Sequence, residues 1–223
     1  MYINGDVEAN RLELYDIVQT GERIKIYIST YTKNVWIEGY VETCDVDNYA
    51  MVTTCQISVT CEEPWWKDLV QMIHSLSSVQ GNFYFPYYTV TPKPVSTYQR
   101  VKFLNLINDG NTSSGLTIEL IATGTVVNPI IYNYDTKAFI GLGTTEKPYT
   151  MVYGDKVVIT TSQNNKKVKL IRNAKETNIF NCLKPGSEFL QVGVGSNTFT
   201  YTTTQGTENL NITFKYYSQY KGI

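Results

Sequence analysis

The chain holds one histidine, His74, and four cysteines, Cys44, Cys55, Cys61 and Cys182, so nucleophilic and metal chemistry have few residues to draw on. A Ser–His–Asp or Cys–His arrangement would have to use His74, which stands beside Ile73 and away from any G-x-S-x-G elbow. A zinc site needs closely paired cysteines or further histidines. The spacing supplies neither, and the cysteines read as reduced structural thiols, with Cys55 and Cys61 on one face of a strand. Carboxylate pairs for glycoside hydrolysis could be drawn from Glu119, Asp135 and Asp155. Any chain with 20 acids offers such pairs, so the signal is nearly empty. Gly141-Leu142-Gly143 and Gly193-Val194-Gly195 lack a following helix to present its N-terminal amides to phosphate, and they read as turns. No catalytic centre, metal site or cofactor is expected.

The elements that would position any site are mostly strands. Ile24, Ile26 and Ile28 alternate with Arg23, Lys25 and Tyr27; a second strand spans 35–46 and a third 50–61, joined by an Asp47-Asn48 turn. Residues 1–17 carry only a partial strand signal. Glu62-Glu63-Pro64 is a helix-start signal, and Leu69, Met72, Ile73 and Leu76 follow at helical spacing, so one helix is expected over 64–76. Residues 82–100 hold three of the seven prolines and read as a linker. The expected organisation is an N-terminal domain over 1–80, a linker over 81–100 and a β-sandwich over 101–223. Within the last part, the 27 residues from Leu116 to Leu142 read as a three-strand antiparallel meander with breaks at Asn128-Pro129 and Asp135-Thr136-Lys137. Further strands are expected near 101–108, 149–152, 156–161, 167–172, 189–192, 198–203 and 209–217. Strands at that spacing indicate two packed antiparallel sheets.

Totals narrow the partners. Net charge is −1, without the basic excess that sequence-independent nucleic-acid binding requires. No apolar run approaches the roughly 18 residues of a membrane-spanning helix. The N-terminus lacks the basic and apolar regions of a signal peptide, so folding in a cytosol is expected and the sequons at Asn111 and Asn211 carry no weight. The one basic run, Lys166, Lys167, Lys169, Arg172 and Lys175, reads as a solvated hairpin. Tyrosine is abundant, with 18 copies against 17% charged residues. That pattern suits protein interfaces, although strand propensity accounts for it more simply. The cluster Trp65, Trp66, Phe83, Tyr84, Phe85, Tyr87, Tyr88 fits core and contact surface equally well.

Several segments together resemble one family. VWIEGYVETCDVDNYAMVTTCQISVTCEEPWW over 35–66, the GTVVNP of 124–129 with its hairpin, Gly154-Asp155 leading into Val158–Thr161, the stretch 187–197 and the tyrosine-rich end at Tyr216, Tyr217 and Tyr220 are similar in order and spacing to the distal tail proteins of long-tailed bacteriophages, the siphophage tail-component family. The resemblance implies a ring-forming N-terminal belt domain and a C-terminal sandwich similar to galectins and carbohydrate-binding modules. It implies a virion structural protein at the tail tip or baseplate, assembled in the bacterial cytoplasm, not an enzyme. Its expected partners are further copies of itself in a hexameric ring, the tail tube protein, the tail-associated hub protein and receptor-binding proteins. The family's N-terminal domain is usually longer than the segment before 24–66 here, which bears on ring formation. Trp36, Tyr40, Trp65 and Trp66 are the candidate oligomer interface, because a region of about 80 residues hides large rings poorly. The rival expectation is a non-catalytic carbohydrate-binding module, to be recognised by a sheet face with exposed aromatics. All three tryptophans precede residue 67, which argues against a tryptophan sugar platform in the sandwich.

Overall fold

A computed structural model of the chain describes residues 6–47, 54–76, 79–81, 96–98 and 103–223, with 79–81 and 96–98 known by their backbone alone. The expected linker residues 82–95, the aromatic run Phe83–Tyr88, most of the turn after Asp47 and the start of the strand expected at 101 lie outside the described residues. The chain forms two compact units: residues 1–69 with 220–223, and residues 70–219.

The first unit is one helix on an antiparallel sheet. Helix α1, Val7–Ile17, begins at Asp6, whose side chain accepts the Ala9 N–H at 3.2 Å. This capping bond replaces one of the partners that a first turn lacks. Only Leu14 of α1 is buried, packed with Cys55, Val18, Cys44, Val46 and Ile57. The partial strand signal in 1–17 is therefore corrected to a helix, since Glu8, Ala9, Arg11, Leu12 and Glu13 are good helix formers behind a cap. Strands β1 (Arg23–Ser29), β2 (Asn34–Asp47), β3 (Thr54–Thr60) and β4 (Trp66–Asp68) form the sheet, with the long β2 pairing all three others. Along β2 the buried residues are Val35, Ile37, Gly39 and Val41, a strict alternation. A Cβ at Gly39 would lie 2.6 Å from the Thr60 carbonyl oxygen, so the close approach of β3 requires glycine there.

The helix expected over 64–76 is overturned. That segment forms β4 and, in the second unit, β5 (Met72–Leu76), whose burial alternates. Of the residues at helical spacing only Leu76 is buried, while Leu69 is 48% and Ile73 56% exposed. Pairing of Trp36 with Lys67 and of Phe214 with His74 outweighs the local start signal at Pro64. The two units thus part at Leu69/Val70, and β5 stands in the second, although residue 80 was the boundary expected from sequence. Across the start of the expected linker, Val79–Gly81 pairs with Ser96–Tyr98 as a short antiparallel ladder.

The second unit is two packed antiparallel sheets. Besides β5, the strands that build these two sheets are β6 (Phe103–Asn108), β7 (Thr117–Ala122), β8 (Ile130–Asn133), β9 (Phe139–Gly141), β10 (Lys156–Ser162), β11 (Asn165–Arg172), β12 (Lys175–Asn178), β13 (Gly195–Thr202) and β14 (Leu210–Tyr216). One sheet runs β12-β11-β10-β7-β14-β5 and the other β9-β8-β13-β6. Alternate residues enter the core from both: Ile118, Leu120, Val157, Ile159, Ile212 and Phe214 from the first, Leu106, Ile131, Ile140 and Phe199 from the second. Phe199 and Phe214 meet across the layers with ring centroids 5.2 Å apart. The meander expected over Leu116–Leu142 is corrected too. β7 pairs β10 and β14, whereas β8 pairs β9 and β13, so the chain changes sheets at Gly124–Pro129. Asn128, at φ 50°, makes that crossing, and its side chain accepts the Tyr149 N–H at 2.8 Å. Only the β8–β9 hairpin is local. Its turn is held by Asn133 Oδ1, which accepts the N–H groups of Asp135 and Thr136.

Candidate functional site

The carboxylates, the histidine and the basic run singled out in the sequence make contacts within the fold. Asp155, 1% exposed, accepts two hydrogen bonds from Arg172, at 2.7 and 2.5 Å, and a third from the Val152 N–H at 2.8 Å. The Arg172 hydrogen bonds, against the cost of burial, hold its carboxyl below the usual range. Glu119 sits between Lys215 at 3.0 Å and Lys156 at 3.1 Å. Burial opposes its ionisation, but bonds from Lys215 and Lys156 outweigh that and lower its pKa. Asp135 Oδ2 accepts the Thr198 N–H at 2.6 Å. His74, on β5, stacks on Tyr216 at 6.1 Å. The basic run is dispersed over β11 and β12, with Lys169 paired to Glu176 at 2.7 Å and Lys166 over the Phe189 ring at 5.4 Å. A cleft of about 270 Å³ between 143–149 and 181–185 is lined by Thr144, Lys147, Tyr149 and Asn181. It is smaller than ordinary ligand pockets.

Among the described residues, two aromatic surfaces remain, one on each unit. In the first unit, β1 and β2 place Tyr27 opposite Trp36, Lys25 opposite Glu38 and Arg23 opposite Tyr40. These six share the face away from Val35, Ile37 and Val41, because side chains alternate along a strand. Trp36 donates its indole N–H to the Asp68 carbonyl at 3.0 Å, with the Lys25 and Lys67 ammonium groups 4.9 and 5.1 Å from its ring centroid. Arg23 lies over Tyr40 at 5.9 Å and pairs with Glu38 at 3.2 Å. Tyr27 is 62% and Tyr40 41% exposed. Of the four candidate interface residues, Trp36 and Tyr40 therefore lie together. Trp66 points to the opposite side of β4 from Lys67, and Trp65 precedes the strand; both are half-buried. Tyr27 belongs to the patch and was missed, although its alternation with the isoleucines of β1 already placed it on the outward face.

In the second unit, the outer face of the four-stranded sheet carries Phe139, Tyr132, Thr200 and Phe103 in one cross-strand row. Tyr132 and Phe139 have centroids 5.9 Å apart, as do Phe103 and Tyr134. Phe103 and Tyr134 are both more than half exposed. Asn105, Ser196 and Thr198 lie alongside, and Lys137 caps Tyr134 at 4.1 Å. The platform contains no tryptophan, so a tryptophan pattern in the sequence gives no sign of it.

The family described as siphovirus-type tail component, C-terminal domain, matches residues 109–220. No curated protein matches the chain. Among solved structures, the fold resembles a chain of the phage P2 baseplate in its activated conformation with calcium, at TM-score 0.52 and 11% identity, covering 100% of this chain and 78% of that one. A chain of the phage P2 baseplate in its activated conformation with strontium gives TM-score 0.51 and 10% identity, covering 97% and 74%.

Proposed function

The chain belongs to the siphovirus-type tail component family, and from that premise we propose that it is a non-enzymatic distal tail protein, joining the tail tube to the hub of the tail tip as a hexameric ring. The family match carries the tail assignment. The ring rests on the first unit, where Tyr27, Trp36 and Tyr40 form an aromatic face edged by Arg23, Lys25 and Glu38. Covering apolar area there is worth about 25 cal/mol per Å², and cyclic symmetry lets every copy cover its own. Tyrosine and tryptophan lose little conformational entropy on contact, and the charged residues that lie over them supply orientation. Tail tube, hub and receptor-binding proteins are the proposed neighbours, in a virion assembled in the host cytoplasm. Antibody–gold labelling of virions carrying this gene product is expected to mark the distal end of the tail. Label on the capsid, or on no part of the virion, contradicts the assignment.

One observation favours the second reading, a carbohydrate-binding module: the Phe103, Tyr132, Tyr134 and Phe139 platform with its neighbouring Asn105, Ser196 and Thr198. Aromatic faces bordered by amide and hydroxyl groups suit the apolar faces and hydroxyl rims of sugars. Calorimetric titration with maltohexaose, chitotetraose and galactotetraose checks it. Saturable heat that Phe103→Ala removes supports this reading, and no heat from any of the three eliminates it.

A further inference from the structure

Cys44 on β2 and Cys55 on β3 stand with their sulfurs 3.5 Å apart. We propose that this pair is a redox modification site, closing to a disulfide that staples β2 to β3 when the protein meets a disulfide oxidant such as glutathione disulfide. The register pairs Cys44 with Ile57 and Val46 with Cys55, so the two cysteines are diagonal neighbours on one face of the ladder. A disulfide needs about 2 Å between the sulfurs, a closure of about 1.5 Å. The register irregularity between Val41 and Thr43 ends before Cys44, and the ladder from Thr43 to Asp47 is regular, so the closure falls to rotation of the two side chains about their Cα–Cβ bonds. The other two cysteines make different contacts: Cys61 Sγ lies 3.9 Å from the Val59 carbonyl and Cys182 Sγ 3.6 Å from Asn181 Oδ1.

The order of steps follows from burial. Cys44 is partly exposed and Cys55 buried. The Cys44 thiolate attacks one sulfur of glutathione disulfide and expels the first glutathione thiolate. The Cys55 thiolate then attacks the Cys44 sulfur of the mixed disulfide and expels the second. Two electrons pass from the cysteines to glutathione, and the two expelled thiolates take up the two protons. Burial, and the hydrogen bond with Cys44, push the Cys55 thiol up to about 11, so its thiolate is scarce and the second step is the slow one. The product would also fix the helix, because Leu14 packs against Cys55. On the tail reading proposed above, the protein passes from a reducing cytosol to an oxidising exterior, which is when such a staple would form.

The test uses the folded, full chain incubated with glutathione disulfide, then denatured for thiol titration, intact mass and peptide mapping without reductant. Titratable thiols are expected to fall from four to two, with the loss of two hydrogens in mass and one cross-linked peptide joining Cys44 to Cys55. Cys44→Ser, with its far-ultraviolet circular dichroism confirming the fold, is expected to abolish the cross-link. Four persisting thiols, a stable glutathione adduct on Cys44, or a cross-link through Cys61 or Cys182 overturns the proposal. None of these outcomes depends on where the protein sits in a virion, so the tail reading stands or falls separately.

Discussion

At the scale of single residues, polar groups under the surface of the second unit act as fasteners. Asp155 is fully enclosed and its charge is compensated chiefly by Arg172. Arg172→Ala leaves that carboxylate with the Val152 N–H, and the expected loss is about 2–3 kcal/mol in urea unfolding. The same pair sets an acid limit. Asp155 and Glu119 both titrate below their ordinary range when folded, so the unfolded chain binds protons first as the pH drops. Their contribution is complete above about pH 5, where the unfolded carboxyls are ionised too, and is lost as the pH falls through the folded values. Thermal melts from pH 7 to pH 2 are expected to show a declining Tm below about pH 5, with a shallower decline in Arg172→Ala. Tyr149 behaves in the opposite sense. Its hydroxyl is buried without a hydrogen-bond partner, and burial, then the neighbouring Cys182 and Asp155, raise its pKa to about 12. Tyr149→Phe removes an uncompensated desolvation cost, and unfolding is expected to show it neutral or stabilised by up to about 1 kcal/mol.

At the scale of elements, the β11–β12 hairpin turns through Asn173 and Ala174 at φ 51° and 60°, the left-handed pair that a two-residue turn demands. Alanine is poorly suited there, so Ala174→Gly is expected to raise stability by about 1 kcal/mol, read from the urea midpoint. That turn was hard to see in sequence for the same reason: Asn-Ala is not a turn dipeptide, and β12 went unread behind it. Strands with strict alternation, such as β1, β7 and β10, were legible because one face meets the core and the other meets water. The segment 64–76 was not, because Leu69, Met72, Ile73 and Leu76 fit a helical period while β4 and β5 follow a period of two. Partners far away in sequence decided it. The change of sheet after Ala122 was equally hidden: Gly124 and Asn128-Pro129 announce a break, but not which sheet receives the next strand. In the candidate interface, composition found Trp36 and Tyr40, and the alternation of β1 already turned Tyr27 outward, but strand register is what sets Tyr27 opposite Trp36 and separates Trp66.

At the scale of the molecule, the two units differ in the size of their cores. The second has the larger core, fed from both sheets, while the described residues of the first bury a small cluster around Leu14 and Cys55 and the inward row of β2. A small unit with an exposed aromatic face gains most from association. In the proposed ring this face is the one that closes between copies, and the mass in solution, by light scattering coupled to size exclusion, reads that closure directly. A hexameric mass is expected for the full chain. A monomeric mass is expected for the variant Tyr27→Lys/Tyr40→Lys, whose changes sit on exposed side chains, with circular dichroism as the check that it is folded. A full chain that remains monomeric at high concentration, or a variant that still forms the ring, contradicts that closure.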